Sequence, residues 1–176
     1  IRDGVSQAMV VVGDKFSSGE YFLADLVMSG EVVEEAMLLL QDKLDAADIY
    51  NRGKVILATV KGDLHDLGKS IVSMMLSASG FEVIDLGVDV SEEKIVQAVK
   101  DSGAQVVGLT MLLTTAAGSV KDVVDAFIEA GMRDKVRIAI GGASANQRLA
   151  EESGADAYGE DAVKAVAIFD RFLQEV

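Results

Sequence analysis

The sequence predicts an α/β protein in which a parallel, doubly wound sheet follows a helical segment. Three observations predict this fold class. Short β-rich runs alternate with helical stretches from Lys54 onward. Each intervening helical stretch stops at a glycine. The residues before Lys54 repeat their apolar side chains only at helical spacing.

Residues 1–50 form the predicted helical segment. Apolar side chains step by three or four positions, first over Val5, Met9, Val12 and Phe16. Ser17, Ser18 and Gly19 interrupt this stripe, which then resumes through Phe22, Leu26, Gly30, Val33, Met37, Leu40 and Leu44. A two-helix hairpin buries little apolar surface on its own. We therefore expect a helical cap, as part of a truncated bundle or as a hairpin that packs on the rest of the chain.

Residues 54–176 form the predicted α/β domain. Its five predicted strands are Val55–Val60, Phe81–Leu86, Val106–Leu109, Val136–Ile140 and Ala157–Tyr158. The helical stretches end at Gly80, Gly103, Gly131 and Gly154, where glycine can take the left-handed conformation of a helix C-terminus. This order predicts a five-stranded flavodoxin-like Rossmann sheet. Ligands of such sheets bind beyond the strand carboxyl ends, here in loops 61–69, 87–91, 110–115, 141–146 and 158–161.

Composition excludes several classes of site and partner. The net charge of −13 leaves no basic stripe for nucleic acid and disfavours an anionic membrane surface. The absence of cysteine rules out disulfides, thiolate zinc sites and iron–sulfur clusters. No apolar run reaches the roughly 18 residues of a membrane span, and no leader pattern opens the sequence, so we expect a cytoplasmic protein. The single histidine, His65, must supply any imidazole chemistry.

The loop after the first predicted strand resembles a phosphate-binding loop without matching it. It reads Gly62-Asp63-Leu64-His65-Asp66-Leu67-Gly68-Lys69-Ser70. Five residues, not four, separate its two glycines, so the backbone N–H groups would not wrap a phosphate. A nucleotide site is therefore disfavoured.

Asp63 and His65 favour a different site in the same loop. A carboxylate two residues from a histidine can accept one ring N–H, which fixes the tautomer and raises the basicity of the other nitrogen. That nitrogen is then available to a metal or a substrate. Gly68 lets the backbone pass close to a bulky group before the next helix begins. An ordinary surface hydrogen bond is the alternative reading of this pair.

Three loops together resemble the cobalamin-binding family, which includes the corrinoid domain of methionine synthase and the small corrinoid proteins of one-carbon methyltransferase systems. Residues 63–68 resemble its D-x-H-x-x-G signature. Thr110-Met111-Leu112 is similar to its S-x-L element, and Gly141-Gly142 is similar to its G-G element. Residues 19–23 resemble the cap that precedes this domain. The stand-alone methyltransferase corrinoid proteins are the most similar members.

The resemblance implies a cobalamin or related cobamide with His65 as the lower axial ligand of cobalt, in place of the cofactor's own base. Asp63 would tune His65, because only a neutral imidazole can bind the metal. In methionine synthase a serine completes this proton relay. Ala116 stands at the corresponding position here, so Thr115 or water would have to serve.

The resemblance also assigns further cofactor-binding residues. Besides Asp63 and His65, the first loop contributes Leu64, Asp66, Leu67 and Gly68. The small residues Gly108, Gly141, Gly142, Ala143 and Ser144 would leave a slot for the displaced nucleotide tail. Thr110 and Thr114 would offer it hydroxyl groups, with Leu112 beside them. Tyr158, Gly159 and Asp161 would lie near its phosphate and base, although Asp161 is also a candidate helix cap. Phe22 would shield the upper face of the corrin, or simply belong to the core.

The implied function is a methyl carrier that shuttles a methyl group on cobalt between two methyltransferase partners. A reductive activation protein is a further partner that the resemblance allows. No set of acid, base and nucleophile is visible, so we expect a carrier subunit that is not catalytic alone. Two alternatives stay open. One is a flavodoxin-like flavin or signalling module, although a signalling receiver domain would need an aspartate where Thr110 stands. The other is a corrinoid-dependent sensor, which would normally carry a DNA-binding domain.

Overall fold

A computed structural model describes residues 2–40 and 52–175 and contains a five-stranded, all-parallel sheet. The strands are β1 (Lys54–Thr59), β2 (Glu82–Asp85), β3 (Val106–Thr110), β4 (Arg137–Gly141) and β5 (Ala157–Gly159). The helices are α1 (Arg2–Ser17), α2 (Leu23–Leu40), α3 (Leu67–Ala78), α4 (Glu92–Ser102), α5 (Ala117–Glu129), α6 (Gln147–Ser153) and α7 (Ala162–Glu175). The predicted fold class is confirmed; Leu44 of the predicted second helix lies outside the described residues.

The strand order β2-β1-β3-β4-β5 places the topological switch point between β1 and β3. The chain leaves β1 towards one edge of the sheet and returns to build β3, β4 and β5 on the other side. The loops after β1 and β3 therefore diverge and leave a crevice at the carboxyl edge. Thr59 and Thr110 are paired at this point in the sheet register.

Helices cover both faces of the sheet, as the parallel topology requires. On one face, α4, α5 and α6 pack on large apolar side chains that include Ile56, Leu109 and Ile140. On the other face, α3 and α7 pack on Val55, Leu57, Val106, Ala139 and Ala157. Successive residues of a strand point to opposite faces, so neighbouring positions serve different cores.

The predicted glycine stops are observed at the ends of the helices. Gly103 and Gly154 cap α4 and α6 with φ angles of 70° and 79°. Gly80 and Gly131 follow the caps of α3 and α5, also with positive φ. Each releases the chain into the next strand within a few residues. This local rule explains why all five strands could be located from the sequence.

The two N-terminal helices pack together against α3. Met9 of α1 and Leu26 of α2 share a small core with Met75 of α3. Gly30 allows α2 to approach closely, because a Cβ there would lie 2.1 Å from Met74 Sδ. The two helices of the predicted cap therefore form a hairpin that packs on the α/β domain. No helix among the described residues is long and apolar enough to cross a membrane.

Candidate functional site

A cavity of about 690 Å³ opens at the carboxyl edge of the sheet. It lies on the face covered by α3 and α7, and residues from α2 close part of its rim. Its walls include the loops after β1, β3, β4 and β5, four of the five loops expected from the sequence. Apolar atoms dominate the walls, as is typical of sites for large organic cofactors.

The loop after β1 carries His65 to the mouth of this cavity. The imidazole is about half exposed, with 53% of its surface accessible, and it lines the cavity. Thr59, which is fully buried at the end of β1, donates its hydroxyl to the His65 carbonyl oxygen at 2.9 Å. The Thr110 hydroxyl lies 3.0 Å from the Thr59 hydroxyl. The backbone that holds the imidazole is therefore anchored to two adjacent strands.

The buried carboxylate of Asp63 fixes the orientation of the His65 imidazole. Its Oδ1 lies 2.7 Å from His65 Nδ1 and also accepts the His65 backbone N–H at 3.0 Å. Since an ionised carboxylate only accepts, this contact places the proton on Nδ1 and leaves the lone pair of Nε2 available. The predicted Asp63–His65 contact is thus present in the structure. What it does for a metal remains a prediction.

Asp63 also joins the loop after β1 to the loop after β3, a contact that the sequence did not predict. Its Oδ2 accepts the backbone N–H groups of Leu112 at 2.6 Å and Leu113 at 2.9 Å. Burial alone would raise the pKa of this carboxyl, because desolvation penalises the charge. The N–H groups of Leu113, His65 and Leu112, together with the imidazole, outweigh burial and hold the pKa of Asp63 well below its usual range. The carboxylate stays ionised and can orient His65 throughout the neutral range.

Asp89 braces the same loop from the other side. Its Oδ1 accepts the Gly62 N–H at 2.8 Å, and its own N–H donates to the Asp63 carbonyl oxygen at 3.0 Å. Asp89 takes a φ of 51°, the left-handed region that aspartate tolerates better than most residues. A parallel bridge between Val60 and Val90 extends this contact. The turn before His65 is thus held by the loop after β2.

Lys69 is a residue of the cavity wall that the sequence did not mark as part of the site. It is buried, lines the cavity in the first turn of α3, and pairs with Asp85 at the end of β2. Asp85 also accepts the Gly87 N–H at 2.8 Å. A buried ammonium needs such a partner, because its uncompensated charge would be costly. The pair links α3, and so the end of the His65 loop, to β2.

Glycines at the carboxyl edge leave the cavity open. A Cβ on Gly142, whose φ is 103°, would lie 2.1 Å from the Met111 carbonyl oxygen, so only glycine lets these two backbones approach. A Cβ on Gly141 would lie 3.3 Å from the Gly159 carbonyl oxygen. Gly141 and Gly142 therefore bring the ends of neighbouring strands together.

Most of the predicted site residues line the cavity. These are Leu64, His65, Asp66, Leu67, Gly68, Thr110, Leu112, Gly141, Gly142, Ala143, Tyr158, Gly159 and Asp161. Asp63 is completely buried behind them. Asp161 also accepts the Lys164 N–H at 2.7 Å, so it caps α7 as the alternative reading held. The resemblance to the cobalamin-binding family supplied most of this set, and the strand-end loops had been expected from the parallel order of the strands.

Three of the predicted residues lie elsewhere. Phe22 is 74% exposed and is absent from the wall, where Phe16, Leu23 and Leu26 represent the cap instead. Thr114 is exposed in a short 3-10 turn and also lies off the wall. Ser144 donates its hydroxyl to the Leu112 carbonyl oxygen and so ties two loops together. Periodicity assigned Phe22 to the same apolar stripe as Leu26, but Phe22 precedes the first residue of α2 and is exposed, whereas Leu26 is fully buried.

The comparisons with known proteins agree with this geometry. The B12 binding domain family matches residues 53–167, and a second B12 binding domain description matches residues 1–41. The chain belongs to the B12-binding family. Its cofactor is therefore cobalamin or a related corrinoid, as the sequence predicted.

Several B12-binding relatives are similar to this chain over nearly its whole length. A dimethylamine corrinoid protein of Methanosarcina acetivorans is 39% identical over 95% of this chain and 78% of its own length. The crystal structure of a cobalamin-binding protein from Desulfitobacterium hafniense is 42% identical, with a TM-score of 0.82 over 95% of this chain and 78% of that one. The methanol:cobalamin methyltransferase complex MtaBC from Methanosarcina barkeri contains a chain that is 32% identical, with a TM-score of 0.87 over 99% of this chain and 66% of that one.

The residues of this B12-binding chain fit a corrinoid. A corrin ring already supplies four nitrogen ligands to its cobalt, so the protein needs to add only one. Among the described residues there is no cluster of three or more metal-binding side chains, but there is one oriented imidazole at an open cavity. The slot of small residues between α3 and α7 provides apolar walls for the rest of the cofactor.

Proposed function

We propose that this corrinoid protein carries a methyl group between two methyltransferase partners, with His65 as the lower axial ligand of cobalt and the cofactor's own base displaced. The bound corrinoid would supply the metal centre to which the methyl group attaches. The protein's own residues hold the cofactor, orient the imidazole and exclude water. Relatives named for dimethylamine and methanol systems support the carrier role.

The arrangement of His65 carries the proposal. Its Nδ1 lies 2.7 Å from a buried carboxylate, its backbone is fixed by Thr59, and its free nitrogen belongs to a half-exposed ring in the cavity wall. A histidine whose task was only structural would not need its second nitrogen at an open cavity. Orientation of a metal ligand through its other ring nitrogen is a general feature of histidine sites.

A carrier must also be accessible to its partners. Leu64 and Leu67 beside His65 are 72% and 69% exposed, and Leu112 and Leu113 opposite them are each 40% exposed. Such a cluster of apolar side chains around a cavity mouth is typical of a surface that a ligand or protein covers. We propose that the corrinoid covers part of it and that methyltransferases dock on the remainder.

Absorption spectroscopy of the purified protein after reconstitution with cobalamin tests this function. We expect corrinoid bands that remain after gel filtration, with the displaced-base form in the wild type. His65→Ala should remove imidazole coordination, whereas Asp66→Ala, in the same loop but with no side-chain hydrogen bond to His65, should keep it. Failure to retain cobalamin, or identical spectra for wild type and His65→Ala, would contradict the proposal.

A further inference from the structure

The backbone carbonyl of His65 depends on a single side chain. The Thr59 hydroxyl, 2.9 Å away, is its hydrogen-bond partner, and no other group in the described parts of the chain bonds to it. The backbone N–H of His65 and its ring Nδ1 are both bound by Asp63 instead. Two side chains therefore hold the histidine, one at each end of its backbone.

These two side chains hold His65 against different parts of the structure. Asp63 lies in the same loop as the histidine, whereas Thr59 is the last residue of β1 and is fully buried. The Thr59 N–H donates to the Gly87 carbonyl oxygen at 3.0 Å, and its own carbonyl oxygen accepts the Val90 N–H at 3.1 Å. A β-branched side chain in a strand also has few rotamers. The Thr59 hydroxyl is therefore a rigid reference point for the more exposed loop.

The hydrogen bonds at Thr59 run in one direction. Its hydroxyl has one proton, which goes to the His65 carbonyl oxygen, because a carbonyl oxygen only accepts. The Thr110 hydroxyl, 3.0 Å from the Thr59 hydroxyl, must then be the donor in that contact. The chain therefore leads from Thr110 through Thr59 to His65. Each bond in such a chain polarises the next, so the contact with Thr110 strengthens the bond to the carbonyl.

We propose that Thr59 is a positioning residue that sets how far His65 Nε2 reaches towards the cobalt, whereas Asp63 controls the proton and orientation of the ring. The inference rests on the proposed function, in which this nitrogen is the lower ligand. A metal–ligand bond tolerates a displacement of only about 0.2 Å. The bond from β1 to the carbonyl restricts the loop before any cofactor binds. Thr59 is not part of the cavity wall, so it acts through the histidine.

Displacement of the imidazole by cyanide tests this role. Protein reconstituted with cyanocobinamide, a corrinoid without a nucleotide base, would be titrated with cyanide at fixed pH while the absorption spectrum reports replacement of the lower ligand. Wild type should need more cyanide than His65→Ala. We expect Thr59→Val, which keeps the shape of the side chain but loses the hydroxyl, to lower the cyanide midpoint about tenfold. Thr59→Ser restores the hydroxyl and should recover most of this difference.

Two further measurements separate positioning from general damage. Ser153→Ala removes another buried hydroxyl that donates to a backbone carbonyl, in α6 and outside the cavity wall, so it should leave the cyanide midpoint unchanged. In the apoprotein, ¹⁵N labelling of the single histidine gives one backbone amide signal, that of His65. Hydrogen exchange of this amide should be faster in Thr59→Val than in wild type and slower again in Thr59→Ser.

The results also separate this inference from the proposed function. Equal cyanide midpoints for wild type and His65→Ala would overturn both, because the imidazole would then not bind the cobalt. A lower midpoint for His65→Ala, with a wild-type midpoint for Thr59→Val, would overturn the role of Thr59 alone. That role is likewise refuted if Thr59→Ser behaves like Thr59→Val, or if amide exchange of His65 is the same in Thr59→Val and wild type. If Thr59→Val does not fold, Thr59→Ala replaces it in both measurements.

Discussion

The two faces of the sheet use alternate residues of the same strands for different purposes. Under α4, α5 and α6, positions such as Ile56, Leu109 and Ile140 are large and fully buried. On the opposite face, the same strands present Gly108 and Ala139 beneath α3 and α7, where the cavity lies. The first face is packed along its whole length, whereas the second is packed around Val55 and Val106 and leaves room for a cofactor nearer the carboxyl edge.

This difference indicates that stability and binding should respond to separate sets of substitutions. Packing on the α4–α6 face is dense, so a truncation there removes buried apolar surface and leaves a void. Residues that line the cavity already border open space, so their substitutions should act mainly on ligand binding. The polar network around Asp63 joins the two functions, because it stabilises the apoprotein and orients His65.

The largest effect is expected on the packed face. Phe127→Ala in α5 should lower the free energy of unfolding by about 3–5 kcal/mol, because the fully buried ring would leave a cavity. Chemical denaturation of the apoprotein measures this loss. The adjacent Ile128→Ala, at a side chain 57% exposed, is the matched control and should cost under about 0.5 kcal/mol. Equal losses for the two variants would contradict the assignment of this face as the stabilising core.

Asp63→Asn should have the next largest effect, about 2–3 kcal/mol. Asparagine keeps the shape of the side chain, but its NH₂ group would face backbone N–H donors that the carboxylate now accepts. The exposed Asp66→Asn in the same loop serves as control and should be nearly neutral. The same chemical denaturation measures this loss. Surface substitutions typically change the unfolding free energy by less than about 0.5 kcal/mol, and a change this small for Asp63→Asn would contradict the network.

The stability of the protein in acid should reveal the contribution of the Asp63 carboxylate. Because the pKa of Asp63 is lower in the folded protein than the unfolded value near 4, its contribution is complete above about pH 4 and is lost as the pH falls further. The wild type should therefore lose more stability than Asp63→Asn between about pH 4 and pH 2. Parallel pH profiles for the two proteins would argue against the low folded-state pKa.

Two glycines at the cavity edge should differ in their tolerance of a methyl group. Gly142→Ala should cost about 2 kcal/mol, because its positive φ disfavours a side chain and its Cβ would collide with the Met111 backbone. Gly159→Ala places its Cβ 3.6 Å from Ala165, an ordinary contact, and should leave stability nearly unchanged. Thermal unfolding of the apoproteins compares them, and similar melting temperatures would show that the close approach at Gly142 is not required.

The smallest effect on stability is expected at Phe22 of the cap. This side chain is 74% exposed, so Phe22→Ala should change the unfolding free energy by less than about 0.5 kcal/mol. Leu26→Ala, at a fully buried position one turn later, should cost about 2–5 kcal/mol. The prediction that Phe22 shields the corrin is tested separately by the affinity for cobalamin. An unchanged dissociation constant would remove Phe22 from the site.

Local sequence rules were sufficient for the fold, and the resemblance to the cobalamin-binding family supplied most residues of the cavity wall. Glycine stops and β-rich runs located every strand, and the parallel order then placed the loops at one edge. The contacts from Asp63 to Leu112 and Leu113 were not predictable, because they join residues 49 and 50 positions apart through backbone N–H groups. The Lys69–Asp85 pair was missed for a similar reason, since nothing in the sequence marks a lysine as buried.

The part of the cavity wall that α7 provides shows the same limit. Gly108 was recognised as a small residue that leaves space, but Phe169 was not, because an aromatic in a helical stripe usually belongs to the core. Only the three-dimensional structure brings this helix residue against a glycine of β3. Which helix covers which part of a sheet is decided by packing over long sequence distances.

Isotope labelling of the single histidine tests the central claim most directly. The protein would be produced with ¹⁵N-histidine, reconstituted with unlabelled cobalamin, reduced to Co(II) and measured by electron paramagnetic resonance. If His65 is the lower ligand, the three-line nitrogen splitting of the unlabelled protein should become a two-line splitting. A three-line pattern that persists after labelling would show that the cofactor's own base still binds the cobalt, and would contradict the account.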